Sequence, residues 1–245
     1  MDLKDAYIGT EKVARMYHGD DVVFPMPVQD GLVLWYDFMG RKNTDVNRAI
    51  AEDLSGNGND GDLTNFAFEE GSGYKDGLVF DGMDDHIRLR DMNTKGIKDG
   101  LTIEVLIYAK NHNGPDGVVK GNSGGWAANE WGFRRLQNSQ GFYIADGIDI
   151  DFVSTSKPID VWDYITCVTS KELGKLQLYR HGVFLTQVDR TIEDISEKNL
   201  EFIIGSPHNN YFSDSDYRMV RVYNRALSPD EITHNYQLEK ERWNL

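Results

Sequence analysis

Carboxylates, amides and aromatics gathered in glycine-rich loops are the groups in this 245-residue chain with the most to offer a ligand. The run Asp146-Gly147-Ile148-Asp149-Ile150-Asp151 sets Asp149 and Asp151 two residues apart, hence on one face of a strand. Such a pair can hold a cation, bond a sugar hydroxyl, or face water. Two loops mix amide, hydroxyl and aromatic side chains: 121–131, with Trp126 and Asn129, and 206–214, with Asn209, Asn210 and Tyr211. Sugar rings stack on aromatic faces, and their hydroxyls bond to Asn and Asp. These five residues, with Asp149 and Asp151, are the candidate ligand contacts. Trp126 is flanked by small residues and is expected to be partly exposed, whereas Trp35, Trp131 and Trp162 are expected in the core. No Gly-x-Ser-x-Gly string occurs, and the six histidines are scattered without zinc-site spacing, so no catalytic residue is assigned.

Bulk properties narrow the partners. A net charge of −14 and a pI near 4.8 repel phosphate backbones, which excludes nucleic acid as a partner. No segment reaches the roughly 20 apolar residues of a membrane span. The first residues lack the apolar stretch of a secretory signal, so none is expected. The single cysteine, Cys167, lies in a strand-like run and reads as a buried, inert thiol.

Loops of this kind need a rigid frame. Short runs rich in β-branched and aromatic residues, separated by Gly, Asn, Asp and Ser, indicate an all-β antiparallel sandwich. Leu32, Leu34 and Tyr36 alternate with Val33, Trp35 and Asp37, as a half-buried strand requires. Arg180-His181-Gly182-Val183 reads as a tight hairpin turn. Asn57-Gly58-Asn59-Asp60-Gly61 reads as a loop. Ser228-Pro229-Asp230-Glu231 opens one helix with a capping box and runs to about Leu238. The prolines of Phe24-Pro25-Met26-Pro27-Val28 favour an extended linker. They divide the chain into an N-terminal β-hairpin segment, 1–27, and a sandwich domain, 28–245.

Six strings in order resemble the laminin-G-like jelly rolls of the concanavalin A-like lectin/glucanase superfamily. They are Gly31–Phe38; Asp53-Leu54-Ser55-Gly56-Asn57-Gly58-Asn59-Asp60-Gly61; Gly77–Ile87, with its Phe80-Asp81-Gly82; Thr102-Ile103-Glu104-Val105; Leu176–Gly182; and Val220–Ile232. The resemblance implies a jelly roll that binds a glycan or a protein. It also implies one structural Ca²⁺ held by oxygen ligands, for which Asp81, Asp84 and Asp85 lie in a suitable loop. Many relatives place an aspartate where this chain has Arg218, so Asp214 and Asp216 are the candidates to compensate. Laminarinase-type relatives carry a Glu-x-Asp-x-x-Glu strand that this chain lacks. A glycoside hydrolase is therefore the weaker alternative and a binding module without catalysis the stronger.

The N-terminal run Ala6–Phe24 resembles a short hairpin module of tailed-bacteriophage structural proteins. Together the two resemblances imply a virion component of a tail, baseplate or head fibre, made in the host cytoplasm, with the jelly roll facing a host-surface glycan or a neighbouring virion protein. A homo-oligomer, in the form of a trimer, is consistent with that setting. A purely structural decoration or oligomerisation unit is the other reading.

Overall fold

The computed structural model describes residues 7–8, 11–12, 16–18, 21–24, 26–111, 116–120, 130–192, 195, 201–205 and 212–245. Four short strands, β1 (Tyr7–Ile8), β2 (Glu11–Lys12), β3 (Met16–His18) and β4 (Asp21–Phe24), pair as two hairpins, β1 with β2 and β3 with β4. After them come β5 (Leu32–Asp37), β6 (Ile50–Ala51), β7 (Gly61–Thr64), β8 (Gly73–Tyr74), β9 (Leu78–Val79), β10 (His86–Leu89), β11 (Gly100–Tyr108), β12 (Asp116–Lys120), β13 (Trp131–Arg135) and β14 (Ser139–Ala145). The chain continues through β15 (Ile150–Ser156), β16 (Trp162–Ser170), β17 (Lys175–Arg180), β18 (Val183–Asp189), β19 (Phe202–Ile204) and β20 (Asp216–Tyr223) to one helix, α1 (Pro229–Trp243).

The expected antiparallel sandwich forms. Sheet I runs β15-β14-β13-β12-β19-β10-β7-β6, and sheet II runs β18-β17-β16-β11-β20-β9-β8, with β5 also paired to β20. Period-two alternation decides which side chains meet between the sheets. In β11, Leu101, Ile103, Val105 and Ile107 point inward, where they join Ile165, Cys167, Leu176 and Val222 of sheet II and Val118, Phe133, Phe142 and Ile204 of sheet I. Cys167 is fully buried there, and burial pushes its thiol well above the ordinary range.

The outer face of sheet II is closed by α1. Ser228 caps the helix by accepting from the Glu231 amide, and the Glu231 carboxylate in turn accepts from the Ser228 amide, as the capping box requires. The helix continues beyond Leu238 to Trp243, because Glu239 and Trp243 are buried on the sheet rather than solvated. Leu106, Tyr164, Met219 and Tyr223 form the apolar floor beneath it, with Ile232 and Trp243 above. Trp162 is not in the core: it is part-exposed on this face, with the Arg218 guanidinium 3.9 Å from its ring centroid. In the hairpin turn, His181 and Gly182 have φ of 52° and 75°, the two positive values of a type I′ turn.

The Asp53–Gly61 string covers an open strand edge. β5 pairs with β20 on one side, and the loop takes the other. Asp53 accepts from the amides of Trp35, Ser55 and Asn59 at 2.9–3.0 Å and from Ser55 Oγ at 2.8 Å. Asn57 and Asn59 both donate to the Val33 carbonyl, and Leu54 donates to that of Trp35. Of the expected loop Asn57–Gly61, Gly61 already opens β7, and the irregular stretch begins earlier, directly after β6.

Candidate functional site

One end of the sandwich gathers the acidic loops. Gly205 donates to Gly117 O, Ser213 to Gly205 O, and Gly82 to Ser213 O, so Gly205 and Ser213 link β12 to the Asp81–Asp85 loop between β9 and β10. A Cβ on Gly82, whose φ is 77°, would stand 3.0 Å from the Asp214 Cβ, so the close approach needs glycine.

Within this rim, Asp81, Asp84 and Asp85 each bring one carboxylate oxygen within 4.8 Å of the others. Asp81 Oδ1 accepts from the Met83 and Asp84 amides and shapes the turn. Asp85 is buried; it accepts from Ser72 Oγ at 3.1 Å and from the Asp81 amide at 3.0 Å. Loss of solvent raises its pKa to about 6 against the pull of those two hydrogen bonds. Three carboxylates and no softer donor form the set a hard divalent cation takes. A cation here would offset the burial of Asp85, and the carboxylates could equally bond sugar hydroxyls. His86, which no motif marks, lies against the loop with Nδ1 2.9 Å from the Asp84 carbonyl.

Asp214 and Asp216 are engaged elsewhere. The Asp214 carboxylate accepts a short hydrogen bond from Asn111 Nδ2, and Asp216 Oδ1 lies 2.6 Å from Lys110 Nζ. That ammonium also donates to the Phe80 carbonyl at 3.2 Å. A tethered cation thus sits on the carboxylate expected to serve the metal. Lys110, just past the end of β11, carries no sequence mark of this role. Arg218, at the position where many relatives have aspartate, pairs with Asp76 and lies between the Trp162 and Trp243 rings on the outer face of sheet II.

Asp149 and Asp151 do not act as a pair. Asp149 is exposed in the turn between β14 and β15, while Asp151 is buried and turned into the protein. Its oxygens accept from the Thr191 amide at 2.7 Å, Thr191 Oγ1 at 2.6 Å and the Ile192 amide at 2.8 Å. Sequence periodicity gave the strand but not this partner 40 residues away.

Trp126, Asn129, Asn209, Asn210 and Tyr211 lie outside the described residues; the anchors of their loops do not. Segment 121–129 joins Lys120 of β12 to Glu130 beside β13, and segment 206–211 leaves Gly205, which is bonded to Gly117 at the other end of β12. Three strand residues, roughly 10 Å, separate these anchors. The second loop therefore departs from the acidic rim and the first from the end that bears Asp149.

A laminin-G-type family model, described as the concanavalin A-like lectin/glucanases superfamily, matches residues 81–233. No curated protein sequence matches the chain. Among solved structures, the chain is similar to domain 4 of AbnA, an extracellular arabinanase from Geobacillus stearothermophilus, in complex with arabinotriose: 15% identity, 84% of this chain and 98% of that one, TM-score 0.62. It is also similar to the botulinum neurotoxin serotype D binding domain, at 13% identity, 86% of this chain, 52% of that one and TM-score 0.65. The ligand-binding domain of that serotype in complex with N-acetylneuraminic acid matches at 13% identity, 86% of this chain, 51% of that one and TM-score 0.61. The chain spans about half the length of these neurotoxin domains, and at such identities the likeness is one of fold. With the family model matched over more than half its length, the chain belongs to the concanavalin A-like lectin/glucanase superfamily.

Proposed function

We propose that this chain is a non-enzymatic, lectin-like module that binds a glycan at the acidic rim. The observation that carries the reading is the convergence of Asp81, Asp84 and Asp85 at the end of the sandwich from which the 206–211 loop departs. In this reading the three aspartates hold Ca²⁺ or sugar hydroxyls, and Asn209, Asn210 and Tyr211 complete the contact. Trp126 and Asn129 offer contact at the other end. The complexes of its fold neighbours with arabinotriose and N-acetylneuraminic acid support a carbohydrate ligand. A hydrolytic reading needs two carboxylates facing one bond; Asp151 is committed to the backbone at 191–192, which favours binding over cleavage.

A glycan array probed with and without calcium tests this. The expected result is a discrete set of bound glycans, weakened at least tenfold by Tyr211→Ala and by the double change Asp81→Asn/Asp84→Asn. Millimolar calcium should raise the melting temperature of the parent chain and not of the double variant. An empty array, or full affinity in both variants, overturns the glycan reading; no melting shift overturns the calcium part alone.

The N-terminal resemblance extends the proposal to a bacteriophage virion, with residues 1–27 as the attachment segment and a homo-oligomer as the working form. One feature of sheet II supports assembly. Its edge strand β18 exposes Val183, Phe184 and Leu185 at 68%, 49% and 41%, an apolar run on an edge that no other strand among the described residues pairs, of the kind that seeks another strand. We expect light scattering to show a trimer and Phe184→Glu to shift it toward monomer. A monomer at all accessible concentrations removes the assembly reading.

A further inference from the structure

Two aromatic rings stand part-exposed on the outer face of sheet II, at the end nearer the rim. Tyr108 and Trp162 form the last cross-strand pair between β11 and β16, and Tyr108 is paired on its other side with Asp216. The ring centroids lie 5.5 Å apart with the planes inclined at 53°, so the rings make an open corner rather than a stack.

Two local irregularities aim the groups around this corner. The register of β20 against β11 shifts between Leu106 and Ile107, which pair with Met219 and Tyr217 and leave Arg218 as the extra residue of a β-bulge. From the bulge, the Arg218 guanidinium reaches between the Trp162 ring, 3.9 Å away, and the Trp243 ring, 4.6 Å away. Arg218 is only 6% exposed, so it backs the Trp162 indole from within and leaves the outer side to solvent. The second irregularity is Asp160, whose φ of 58° is a left-handed conformation that Asp tolerates. Its amide donates to the Ala109 carbonyl at 2.8 Å. That bond sets the exposed Asp160 carboxylate beside Tyr108, whose Oη lies 3.4 Å from Oδ1.

The charges here do not cancel. Arg218 is paired with Asp76, and Lys110 with Asp216. Asp160 meets no cation among the described residues, so one negative charge is left over at the corner. Aromatic faces attract cations, and the Trp162 indole already holds one on its inner side. Two ring walls beside an uncompensated carboxylate are the group set that recognises an alkylammonium ion. Its methyl groups pack on the rings, and its charge is met by the ring faces and the carboxylate. The net charge of −14 favours the approach of such a ligand.

We propose that the Tyr108–Trp162 corner, with Asp160, binds a quaternary ammonium group. The site shares no residue with the glycan reading, so either can fail alone. The probes are choline and its neutral carbon isostere, in which a tert-butyl group replaces the trimethylammonium. In NMR titrations of the full chain, choline should shift the Trp162 indole N–H and the Asp160 and Val161 amides with millimolar affinity. The isostere should bind at least fivefold more weakly. Tyr108→Phe keeps the ring and should retain binding, whereas Trp162→Leu should abolish it, as read from the Asp160 and Val161 amides. Asp160→Asn, which also tolerates the left-handed φ, should weaken binding at least threefold, and so should added salt. Sedimentation with phosphatidylcholine vesicles then identifies a lipid headgroup as the source of the ammonium, and its absence a soluble one. No shift at tens of millimolar choline, an equal response to the isostere, or unchanged affinity in Asp160→Asn or Trp162→Leu overturns the proposal.

Discussion

Replacing Arg221 with methionine is expected to lower the unfolding free energy by about 3–5 kcal/mol at neutral pH, the usual cost of removing one member of a buried ion pair. Arg221 is fully buried beneath α1, with its Nε 3.2 Å from Glu104 Oε2 and its Nη2 2.9 Å from Glu239 Oε1. Arg242 extends the network, bonding both oxygens of Glu239 and reaching Asp37. Asn235 adds a donor to Glu104 at 3.0 Å. Burial raises the Glu104 pKa and Arg221 opposes it. Without that guanidinium, the fully buried Glu104 loses the charge that opposes its desolvation, and its folded pKa rises further above the unfolded value. A carboxylic acid with a raised folded pKa binds its proton better folded than unfolded, so its contribution to stability grows as pH falls. The methionine variant should therefore show its largest deficit at pH 7 and a smaller one near pH 5. Urea unfolding at both values checks this. A deficit below about 1 kcal/mol at pH 7, or one independent of pH, would show that the network contributes little.

The network also shows what could be read from the sequence and what could not. The strands were legible because each carries its own period: Leu101–Ala109 needed no partner to be recognised, and it forms as Gly100–Tyr108. The capping box of α1 was equally local. The helix end was not, because Glu239-Lys240-Glu241-Arg242 looks solvated until Arg221 and Asp37 are placed beneath it. Glu104 likewise occupies an outward strand position that reads as facing water, and only the docked helix makes it a core residue. The candidate sites follow the same division. Asp81, Asp84 and Asp85 lie within five residues of one loop, so the sequence could bring them together. Asp151 and Thr191, or Lys110 and Asp216, meet only through tertiary packing. The two-residue strands β6 and β8 lie in stretches with no alternation to betray them; β6 is paired to β7 and β8 to β9.

Removing the Asp53 carboxylate should cost about 3 kcal/mol, since burying an unpaired donor costs about 1–3 kcal/mol and Asp53→Ala leaves the Trp35 and Asn59 amides without their acceptor. These two donors are not equivalent to an exposed turn's, because Trp35 and Asn59 are 3% and 1% exposed and water cannot readily replace the carboxylate. The damage should also spread. Asn59 holds the Val33 and Asn93 carbonyls, and its own carbonyl accepts from Tyr36 Oη at 2.6 Å, so loosening the loop frees the edge of β5 along most of its length. An uncovered strand edge pairs with other chains. Asp53→Ala is thus expected to lower the urea midpoint and to self-associate on heating, whereas Ser55→Ala, which removes one partly solvated hydroxyl, should cost about 1 kcal/mol without association. The family string at 53–61 would then be a strand-edge cover rather than a ligand loop. Parent-like stability in Asp53→Ala, or glycan binding lost while stability is kept, would reverse that assignment.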